Sequence, residues 1–318
     1  MRRYITLAVT ICCSFLFTGC DSLFNTEGKN ECIIFFAPAF APVIDTIQNE
    51  ISEDCKLILR CESNGSQILC RKVVELGRVC DLMMISDHNL FETICGNYFK
   101  WHIDFISDEM VLGIGIRAPR TDEAEKEWLP VLLDEGVTLG RVDENLGPVG
   151  YRTLLVWRLM ELNGVPGVLN ALKKKSTVKT ENVGHLATLL KSGDVDYGFL
   201  YKTVCIKYDI RYISLDPSIN LGVEGQQYDR AKVVFSNISG SGEQLFAKGE
   251  QITYGLSIPI TAPNPESARD VIMHLLTKGR NAFEEQGFKI IKPRFYGSPE
   301  DYSRFDDFAD YMGTRHEE

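Results

Sequence analysis

The sequence lacks the motifs by which most enzymes are recognised. It contains no G-x-S-x-G nucleophile turn, no H-E-x-x-H metal motif, no G-x-x-x-x-G-K-[ST] phosphate loop and no G-x-G-x-x-G fingerprint. Gly113 and Gly115 form a G-x-G pair, but they lie inside a predicted strand and the third glycine is missing. We therefore expect neither an enzyme nor a bound cofactor.

Histidine and positive charge are also scarce. Only five histidines and no C-x-x-C pair are present, so we expect no zinc site or other metal site. Acidic residues number 44 against 34 basic ones, which gives a net charge of −10. Without a basic stripe to neutralise phosphates, nucleic acid is not an expected partner. A small anion is not excluded, because amides, hydroxyls and helix N-termini hold such ions locally.

Long apolar runs are absent except at the N-terminus. Arg2 and Arg3 precede an apolar run at residues 5–17, which is short for a bilayer span but has the length of a secretory signal. The run ends in Phe17-Thr18-Gly19-Cys20, which resembles the bacterial lipobox except that Phe17 replaces the usual leucine. We expect Cys20 to be lipidated and the chain to be cut before it. The alternatives are an ordinary signal peptide and a retained membrane anchor.

Short apolar runs alternate with amphipathic segments along the rest of the chain. Such alternation with short connections predicts parallel strands joined by helices, that is, an α/β fold, and the length favours two domains. The predicted strands are residues 33–36, 57–59, 81–86, 110–116, 137–140, 197–200, 212–215 and 252–259. The predicted helices are residues 41–51, 66–76, 151–162, 185–191 and 265–277.

These elements are expected to form two lobes between which the chain crosses more than once. The polar and charged stretch at residues 119–127 is expected to be the first crossing, and the strand at 252–259 is expected to return to the first lobe. The acidic C-terminal segment with interleaved aromatics is expected to be a peripheral extension. The predicted division is residues 1–19 signal peptide, 20–30 lipid-anchored linker, 31–112 and 252–297 first lobe, 113–251 second lobe, and 298–318 C-terminal extension.

Seven cysteines follow Cys20, and an exported protein permits disulfides between them. Cys55 and Cys61 are expected at opposite ends of one strand, about 20 Å apart, which is too far for a bridge. Cys32, Cys55 and Cys80 each precede a predicted strand, so they either cluster at one sheet edge or, like the others, are small buried hydrophobic residues. No pairing is predicted among Cys32, Cys55, Cys61, Cys70, Cys80, Cys95 and Cys205.

Two glycine-containing turns each precede a predicted helix. Asn64-Gly65-Ser66 opens a helix in the first lobe, and Gly147-Pro148-Val149-Gly150-Tyr151-Arg152 opens one in the second. Glycine lets the backbone approach a ligand, and the free amides of a first helical turn point toward it. Each turn alone is explained by simple helix capping. Two of them at strand ends of different lobes favour a cleft that binds an anion.

Further motifs occur in a recognisable order along the chain: Cys80-Asp81-Leu82, Ser86-Asp87, Ser192-Gly193-Asp194-Val195-Asp196-Tyr197 and Tyr201-Lys202-Thr203-Val204. Together with the two turns, they resemble the archaeal type of molybdate/tungstate-binding proteins of ABC importers, over nearly the whole mature chain to about residue 293. The resemblance implies a type II periplasmic-binding-protein fold, in which two α/β lobes joined by two crossing strands close on an oxyanion. It also implies ligand contacts from Ser66, Tyr201 and the backbone at Val149 and Gly150.

The departures from this family fall on the ligand site. Ala39 stands where the family has a serine, and Gly147 where it has a coordinating aspartate. His185 stands where it has a coordinating glutamate, with Glu181 as the rival for that position. Carboxylates repel an oxyanion unless they bond to its metal centre, so their loss favours a plain hydrogen-bonded anion. We therefore hypothesise an anion without expanded coordination.

The sequence thus predicts an extracytoplasmic solute-binding lipoprotein that captures a small oxyanion by lobe closure for an ABC importer. Its expected partners are the oxyanion and a membrane permease subunit, and nothing requires more than a monomer. The lipid anchor would hold it on the periplasmic or extracellular face of the membrane. The alternative is a sensing or binding lipoprotein on the same fold, with a changed ligand or a protein partner.

Overall fold

The computed structural model describes residues 30–236 and 244–314. Within this part of the chain the strands form two main sheets and one hairpin. In chain order the strands are β1 (Asn30–Phe36), β2 (Leu57–Ser63), β3 (Leu82–Ile85), β4 (His102–Ser107), β5 (Met110–Ile114), β6 (Leu139–Val142), β7 (Val178–Thr180), β8 (Tyr197–Tyr201), β9 (Tyr212–Ser214), β10 (Lys232–Ser236), β11 (Gln244–Lys248), β12 (Thr253–Ser257), β13 (Lys289–Tyr296) and β14 (Asp310–Tyr311).

Helices connect most of these strands. In chain order they are α1 (Ala41–Asp54), α2 (Ser66–Val74), α3 (Leu90–Thr93), α4 (Thr121–Ala124), α5 (Trp128–Leu133), α6 (Pro148–Leu162), α7 (Val168–Lys175), α8 (Val183–Ser192), α9 (Lys202–Lys207), α10 (Pro265–Leu276), α11 (Arg280–Glu285) and α12 (Pro299–Tyr302). Short 3₁₀ helices lie at Pro38–Phe40, Gly96–Tyr98 and Tyr228–Arg230.

The first lobe is built on a seven-stranded mixed sheet in the order β14-β13-β4-β12-β3-β1-β2. β1 pairs in parallel with β2 and β3, as strand–helix–strand alternation predicts. β3 is buried along its whole length, as expected for a strand covered on both faces. β12 inserts between β3 and β4 and runs antiparallel to both. The strand predicted to return to the first lobe thus lies in the same sheet as β3 and β4.

The second lobe is built on a five-stranded sheet in the order β7-β6-β8-β5-β9. The chain reaches it from β4 through Asp108 and Glu109, so the predicted division between residues 112 and 113 falls inside β5. β5 and β6 flank residues 119–127 and both belong to this sheet. The expectation that this charged stretch forms the first crossing was wrong. It is charged because it is an exposed surface connection, with Ala124 alone buried.

The apolar pattern of α1 shows how a helix is positioned at the end of a strand. Val43, Ile44, Ile47 and Ile51 recur at helical spacing and are buried. α1 follows β1 after the short turn at Pro38–Phe40, so the helix begins at the carboxyl end of the strand. The same strand–turn–helix order recurs at β2–α2, β6–α6, β7–α8 and β8–α9.

The C-terminal segment belongs to the first lobe. β14 pairs in parallel with β13 at the edge of the sheet. Phe305 is 1% exposed, and its ring centroid lies 5.0 Å from that of Trp101 and 5.9 Å from that of Phe295. The expectation of a peripheral extension was wrong for residues 298–314, because the aromatics among the acidic residues anchor the segment. Residues 315–318 lie outside the described residues.

The seven cysteines of the described residues are all free thiols. The buried ones agree with the interpretation as small hydrophobic residues, and they are Cys32, Cys70, Cys80, Cys95 and Cys205. Cys55 caps the C-terminus of α1 and does not lie in a strand, whereas Cys61 lies in β2 with an exposed side chain. The assumption that one strand separates this pair was therefore wrong.

Among residues 30–236 and 244–314, no helix combines the length and apolar character that a membrane span needs. The predicted signal peptide at residues 1–19 and Cys20 lie outside the described residues. The predicted linker at residues 20–30 lies outside them as well, apart from its last residue.

Phe305→Ala tests the anchoring of the C-terminal segment. Removing a buried phenylalanine ring should lower the free energy of unfolding by about 3–5 kcal/mol. Phe246→Ala is the matched control, because Phe246 is 65% exposed on β11, and it should change stability by no more than about 0.5 kcal/mol. Urea denaturation of both variants measures the difference. Equal stabilities would contradict the anchoring role.

Candidate functional site

A small cavity lies between the two sheets, at the carboxyl ends of parallel strands. β1 and β2 lead to it from the first lobe, and β6 and β8 from the second. Because helices follow these strands, the starts of α2 and α6 meet at the cavity, together with the start of α8 after β7. Open α/β sheets bind ligands at this position, outside the carboxyl ends of their strands.

The walls of the cavity, within the described residues, carry no charged side chain. The first lobe contributes Ala37, Pro38, Ala39, Gly65, Ser66 and Ser86, and the second contributes Val142, Gly147, Pro148, Val149, Asn182, Val183 and Tyr201. Between these walls, a volume of about 20 Å³ is open to the centres of oxygen-sized atoms. This space exceeds the need of a single water molecule and suits the four oxygens of one small tetrahedral anion.

Three helices begin at the cavity wall, and the first-turn amides of two of them are not capped by side chains. The residues before α2 and α6 are Gly65 and Gly147, which have no side chain that could bond these amides. In α6, Pro148 has no N–H and the Gly150 amide donates to the Gly147 carbonyl oxygen at 2.9 Å, which leaves the Val149 amide for a ligand. In α8, by contrast, Asn182 Oδ1 accepts from the His185 amide at 3.0 Å. Free first-turn amides and the helix macrodipole both favour a negative charge. The starts of α2 and α6 can therefore hold an anion.

Ser66 and Ser86 supply hydroxyls from the first lobe. Their Oγ atoms lie 3.0 Å apart, and the Ser86 amide donates to Ser66 Oγ at 3.1 Å. Both side chains are buried. Because Ser66 Oγ already accepts from an amide, the two hydroxyls keep at least one proton that can be donated to an anion.

Tyr201 supplies the hydroxyl of the second lobe. Arg152 Nη1 donates to its oxygen at 2.6 Å, and the guanidinium carbon lies 5.8 Å from the ring centroid. Burial raises the pKa of Tyr201 to about 12 against the opposing effect of Arg152, so the phenol keeps its proton at neutral pH. Since its oxygen accepts from Arg152, the proton points to another acceptor and can be donated into the cavity.

Arg152 connects the two lobes behind the cavity. Its side chain is 3% exposed, donates to the carbonyl oxygen of Ser86, and places Nη2 3.4 Å from Asp87 Oδ1. Tyr151 donates to the other carboxylate oxygen of Asp87. Burial disfavours the charged guanidinium, but Tyr201 and Asp87 outweigh this effect and raise the pKa of Arg152. One buried cation thus holds the Ser86 wall and the Tyr201 wall together.

The lobes approach each other closely beside the cavity. A Cβ on Gly65 would lie 2.6 Å from the carbonyl oxygen of Leu146 in the other lobe. Gln67 Nε2 donates across the same contact to the carbonyl oxygen of Glu144 at 3.3 Å. Only glycine permits such backbone approach, so Gly65 is required by the contact between lobes as well as by the open helix start.

Most of the ligand residues predicted from the sequence meet at this cavity. Those that line it are Ala39, Ser66, Gly147, Val149 and Tyr201. Ala39 lines the wall without a polar side-chain atom, as its replacement of a serine implies. The rule that ligands bind at the carboxyl ends of strands therefore identified wall residues that are up to 162 positions apart in the sequence.

Gly150 and His185 do not line the cavity. A Cβ on Gly150 would meet the carbonyl oxygen of Asp143 at 2.4 Å, so packing of α6 on the preceding loop explains this glycine. His185 is exposed, and so is its rival Glu181. His185 does not reach this cavity, because α8 begins at Val183, two residues earlier than predicted, and the histidine faces solvent; its contact with a ligand stays a prediction.

Among the wall residues that were not predicted as ligand contacts are Ser86, Asn182 and Val183. Ser86 is the last residue of a predicted strand, and its hydroxyl at a strand end is a signal that could have identified it. Asn182 precedes a predicted helix and is a favoured N-cap residue, which would have placed the start of α8 correctly. Val183 carries no such signal.

Known proteins share both the sequence and the fold of this chain. The family model described as bacterial extracellular solute-binding protein matches residues 33–289. The molybdate/tungstate-binding protein WtpA of Pyrococcus abyssi is 28% identical over 315 residues, which cover 88% of this chain and 91% of that protein. An uncharacterized solute-binding protein of Petrotoga mobilis is 32% identical over 241 residues, which cover 73% of this chain and 74% of that protein.

A solved structure has the same architecture. The periplasmic molybdate-binding protein of Azotobacter vinelandii superposes with a TM-score of 0.57 at 14% identity, over 81% of this chain and 98% of that one. At this identity the likeness concerns the fold alone. The expected two-lobed periplasmic-binding-protein fold is confirmed.

Arg152→Met tests the buried link between the lobes. Removing the guanidinium leaves the buried carboxylate of Asp87 without its cation, so the free energy of unfolding should fall by about 3–5 kcal/mol. Arg158→Met is the matched control in the same helix, because Arg158 is 39% exposed in its ion pair with Glu161. It should cost at most about 1 kcal/mol. Urea denaturation measures the free energy of unfolding of both variants. If Arg152→Met loses no more of this free energy than Arg158→Met, Arg152 does not link the lobes.

Proposed function

The chain belongs to the family of bacterial extracellular solute-binding proteins, and we propose that its solute is a small tetrahedral oxyanion of the molybdate and tungstate type. Members of this family bind solutes and are not enzymes. The observation that carries the proposal is the small neutral cavity at which α2 and α6 begin with uncapped amides. The relative from Pyrococcus abyssi is named for binding molybdate and tungstate, which supports the same class of ligand.

The donors around the cavity suit an anion that is bound without a direct ionic partner. Hydroxyls of Ser66, Ser86 and Tyr201 and the first-turn amides of α2 and α6 are neutral. Hydrogen bonds from neutral donors to an anion are about twice as strong as those between neutral groups. The helix starts add a partial positive charge at the same place. The positive charge of Arg152 lies one layer behind the wall, where Asp87 balances it.

We infer that the bound anion keeps four oxygens around its central atom. Raising the coordination number of molybdenum or tungsten needs carboxylate oxygens at bonding distance. The wall has Gly147 where the family that the sequence resembles has a coordinating aspartate, and the start of α8 places Asn182 and Val183 on the wall, neither of which is a carboxylate.

We further propose that the lobes close on this anion and present it to the permease of an ABC importer. The contacts that join the lobes lie beside the cavity, at Gly65, Gln67 and Arg152. The chain crosses between the sheets through Asp108, whose Oδ2 accepts from Thr203 Oγ1 and from the Tyr254 hydroxyl. A short crossing that is hydrogen-bonded to both lobes suits a hinge, and closure would bring the two sets of donors onto one ligand.

Ser66→Ala tests the ligand site. Loss of one hydrogen bond to a charged group costs about 1.5–3 kcal/mol, so affinity for the preferred oxyanion should fall roughly 10- to 100-fold. Isothermal titration calorimetry of the purified full chain with molybdate, tungstate, sulfate, phosphate and chromate measures the effect. Ser63→Ala is the matched control, because Ser63 is exposed at the end of β2, three residues before Ser66, and its affinity should equal that of the wild type.

Two outcomes of this titration would contradict the proposal. If no oxyanion binds the wild type, the ligand is of another class or the partner is a protein. If tungstate binds and X-ray absorption finds six-coordinate tungsten, the inference of a four-coordinate anion fails. Ala39→Ser provides a gain-of-function arm, because it restores a hydroxyl to the wall, and it should strengthen binding where the proposal is correct.

We propose that Cys20 carries the lipid that anchors the protein to the membrane. Cys20→Ser should move the protein expressed in a bacterial host from the membrane fraction to the soluble fraction and abolish incorporation of a labelled fatty acid. Cys61→Ser is the control, since Cys61 is an exposed free thiol outside the lipobox-like motif. A wild-type protein without label, or a label that persists in Cys20→Ser, would rule the anchor out.

A further inference from the structure

A cluster of metal-binding side chains lies in the first lobe, outside the anion cavity. The ligand atoms of His88, His102 and Asp104 lie within 4.8 Å of one another, and all three residues are buried. His102 and Asp104 are two residues apart on β4, so they share one face of the strand. We propose that these three residues bind one divalent transition-metal ion of the Zn²⁺ type.

The distances in the cluster are close to those of a metal site. His88 Nδ1 lies 2.6 Å from Asp104 Oδ2, and His102 Nε2 lies 3.8 Å from Asp104 Oδ1. Ligands at about 2.0–2.1 Å from a tetrahedral Zn²⁺ are about 3.3 Å apart. The two observed distances lie on either side of this value, so the side chains need to move by less than about 1 Å to enclose an ion. Thr253 Oγ1, 2.9 Å from His88 Nδ1, lies at the same place.

One oxygen of Asp104 points to a missing ligand. The residue is 1% exposed, and its Oδ1 accepts no hydrogen bond within the described residues. A buried acceptor without a donor costs about 1–3 kcal/mol, and more when it is charged. The ion pair between His88 and Asp104 Oδ2 leaves this oxygen unsatisfied, whereas a metal ion between Asp104 and His102 would satisfy it.

The surroundings hold both imidazoles in place. Glu250 Oε1 lies 3.3 Å from His88 Nε2, the ring nitrogen opposite the proposed metal. A carboxylate on the distal nitrogen of a metal-bound histidine fixes the orientation of the ring and raises its basicity. The His102 ring stacks on Tyr296, with centroids 4.8 Å apart and planes within 17°. The cluster therefore has the outer contacts of a metal site as well as its ligands.

The ligand types select the class of metal. Two imidazoles and one carboxylate suit zinc and neighbouring divalent transition metals, whereas Mg²⁺ and Ca²⁺ prefer oxygen ligands alone. A groove of about 270 Å³ is lined by His88, Asp104, Glu250 and Thr253, which gives an ion access from solvent. The sequence did not indicate this site, because its ligands come from two segments, the loop after β3 and the strand β4, and no recognised spacing motif joins them.

The position of the site suggests its effect on the protein. His88 follows Asp87, the carboxylate that faces Arg152 across the lobes, and Thr253 begins β12, where the chain returns to the first lobe. A metal ion would join the loop after β3 to β4, next to the start of this return strand. We expect it to stabilise the first lobe close to the anion cavity without entering it.

Zinc titration of the purified full chain tests the proposal. After treatment with EDTA, competition with a chromophoric chelator should give one tightly bound Zn²⁺ per chain, and Zn²⁺ should raise Tm while equal concentrations of Mg²⁺ should not. Bound Co²⁺ should show visible absorption bands of a nitrogen–oxygen site. His102→Ala should abolish this binding, and Glu250→Gln should weaken it about 10- to 100-fold.

Control variants separate this site from others. His185→Ala removes an exposed histidine, and His274→Gln alters a second cluster with Glu50 and Asp54, so both should bind Zn²⁺ like the wild type. Absence of Zn²⁺ binding by the wild type, or undiminished binding by His102→Ala and Glu250→Gln, would overturn the proposal. If His102→Ala does not fold, His102→Gln decides, because it keeps a polar side chain of similar size but removes the imidazole. Glu250→Gln alone does not decide, since Glu250 also forms a cluster with Asp87 and His88.

Discussion

The geometry of the anion cavity depends on the buried guanidinium of Arg152. It donates to the Tyr201 hydroxyl on one wall and to the Ser86 carbonyl on the other, and it faces Asp87. A guanidinium is planar with N–H groups in fixed directions, so it sets the separation of the groups that it joins. A lysine ammonium could not replace it as a spacer. Replacing a whole buried ion pair by apolar residues often costs little stability, whereas removing one partner alone is strongly destabilising.

The same arrangement allows the ligand wall itself to be neutral. If Arg152 contacted the ligand directly, its charge would attract any small anion with little regard to shape. Arg152 instead lies behind Tyr201, and Asp87 balances its charge. By donating to the Tyr201 oxygen, Arg152 orients the hydroxyl so that its proton is donated in one direction. Hydroxyls and helix amides in fixed positions favour an anion whose oxygens match them, because each unmatched donor is left buried without an acceptor. For the proposed oxyanion, selectivity would then follow from geometry more than from charge.

The main elements of the fold could be predicted because their signals are local. The apolar runs of β1 and β12 and the helical pattern of α1 are visible in short windows of sequence. β13 was missed because its partly buried, mixed-polarity residues show neither alternation nor an apolar run, and pairing with β4 defines it. The crossing at Asp108 and Glu109 is too short to change the local composition, which is why a longer charged surface loop was mistaken for it.

The candidate site shows a sharper limit. Residues at strand ends, such as Ser66 and Gly147, could be assigned because topology alone brings strand ends together. His185 could not, since one residue along a helix turns a side chain by about 100°, and the start of α8 at Val183 decides which residue faces the ligand. Arg152 belonged to a recognised motif, yet its burial results from contact between lobes distant in sequence. The polar groups of the wall could therefore be predicted from short stretches of sequence. The buried ion pair of Arg152 with Asp87 behind the wall could not, because it forms only when the two lobes are in contact.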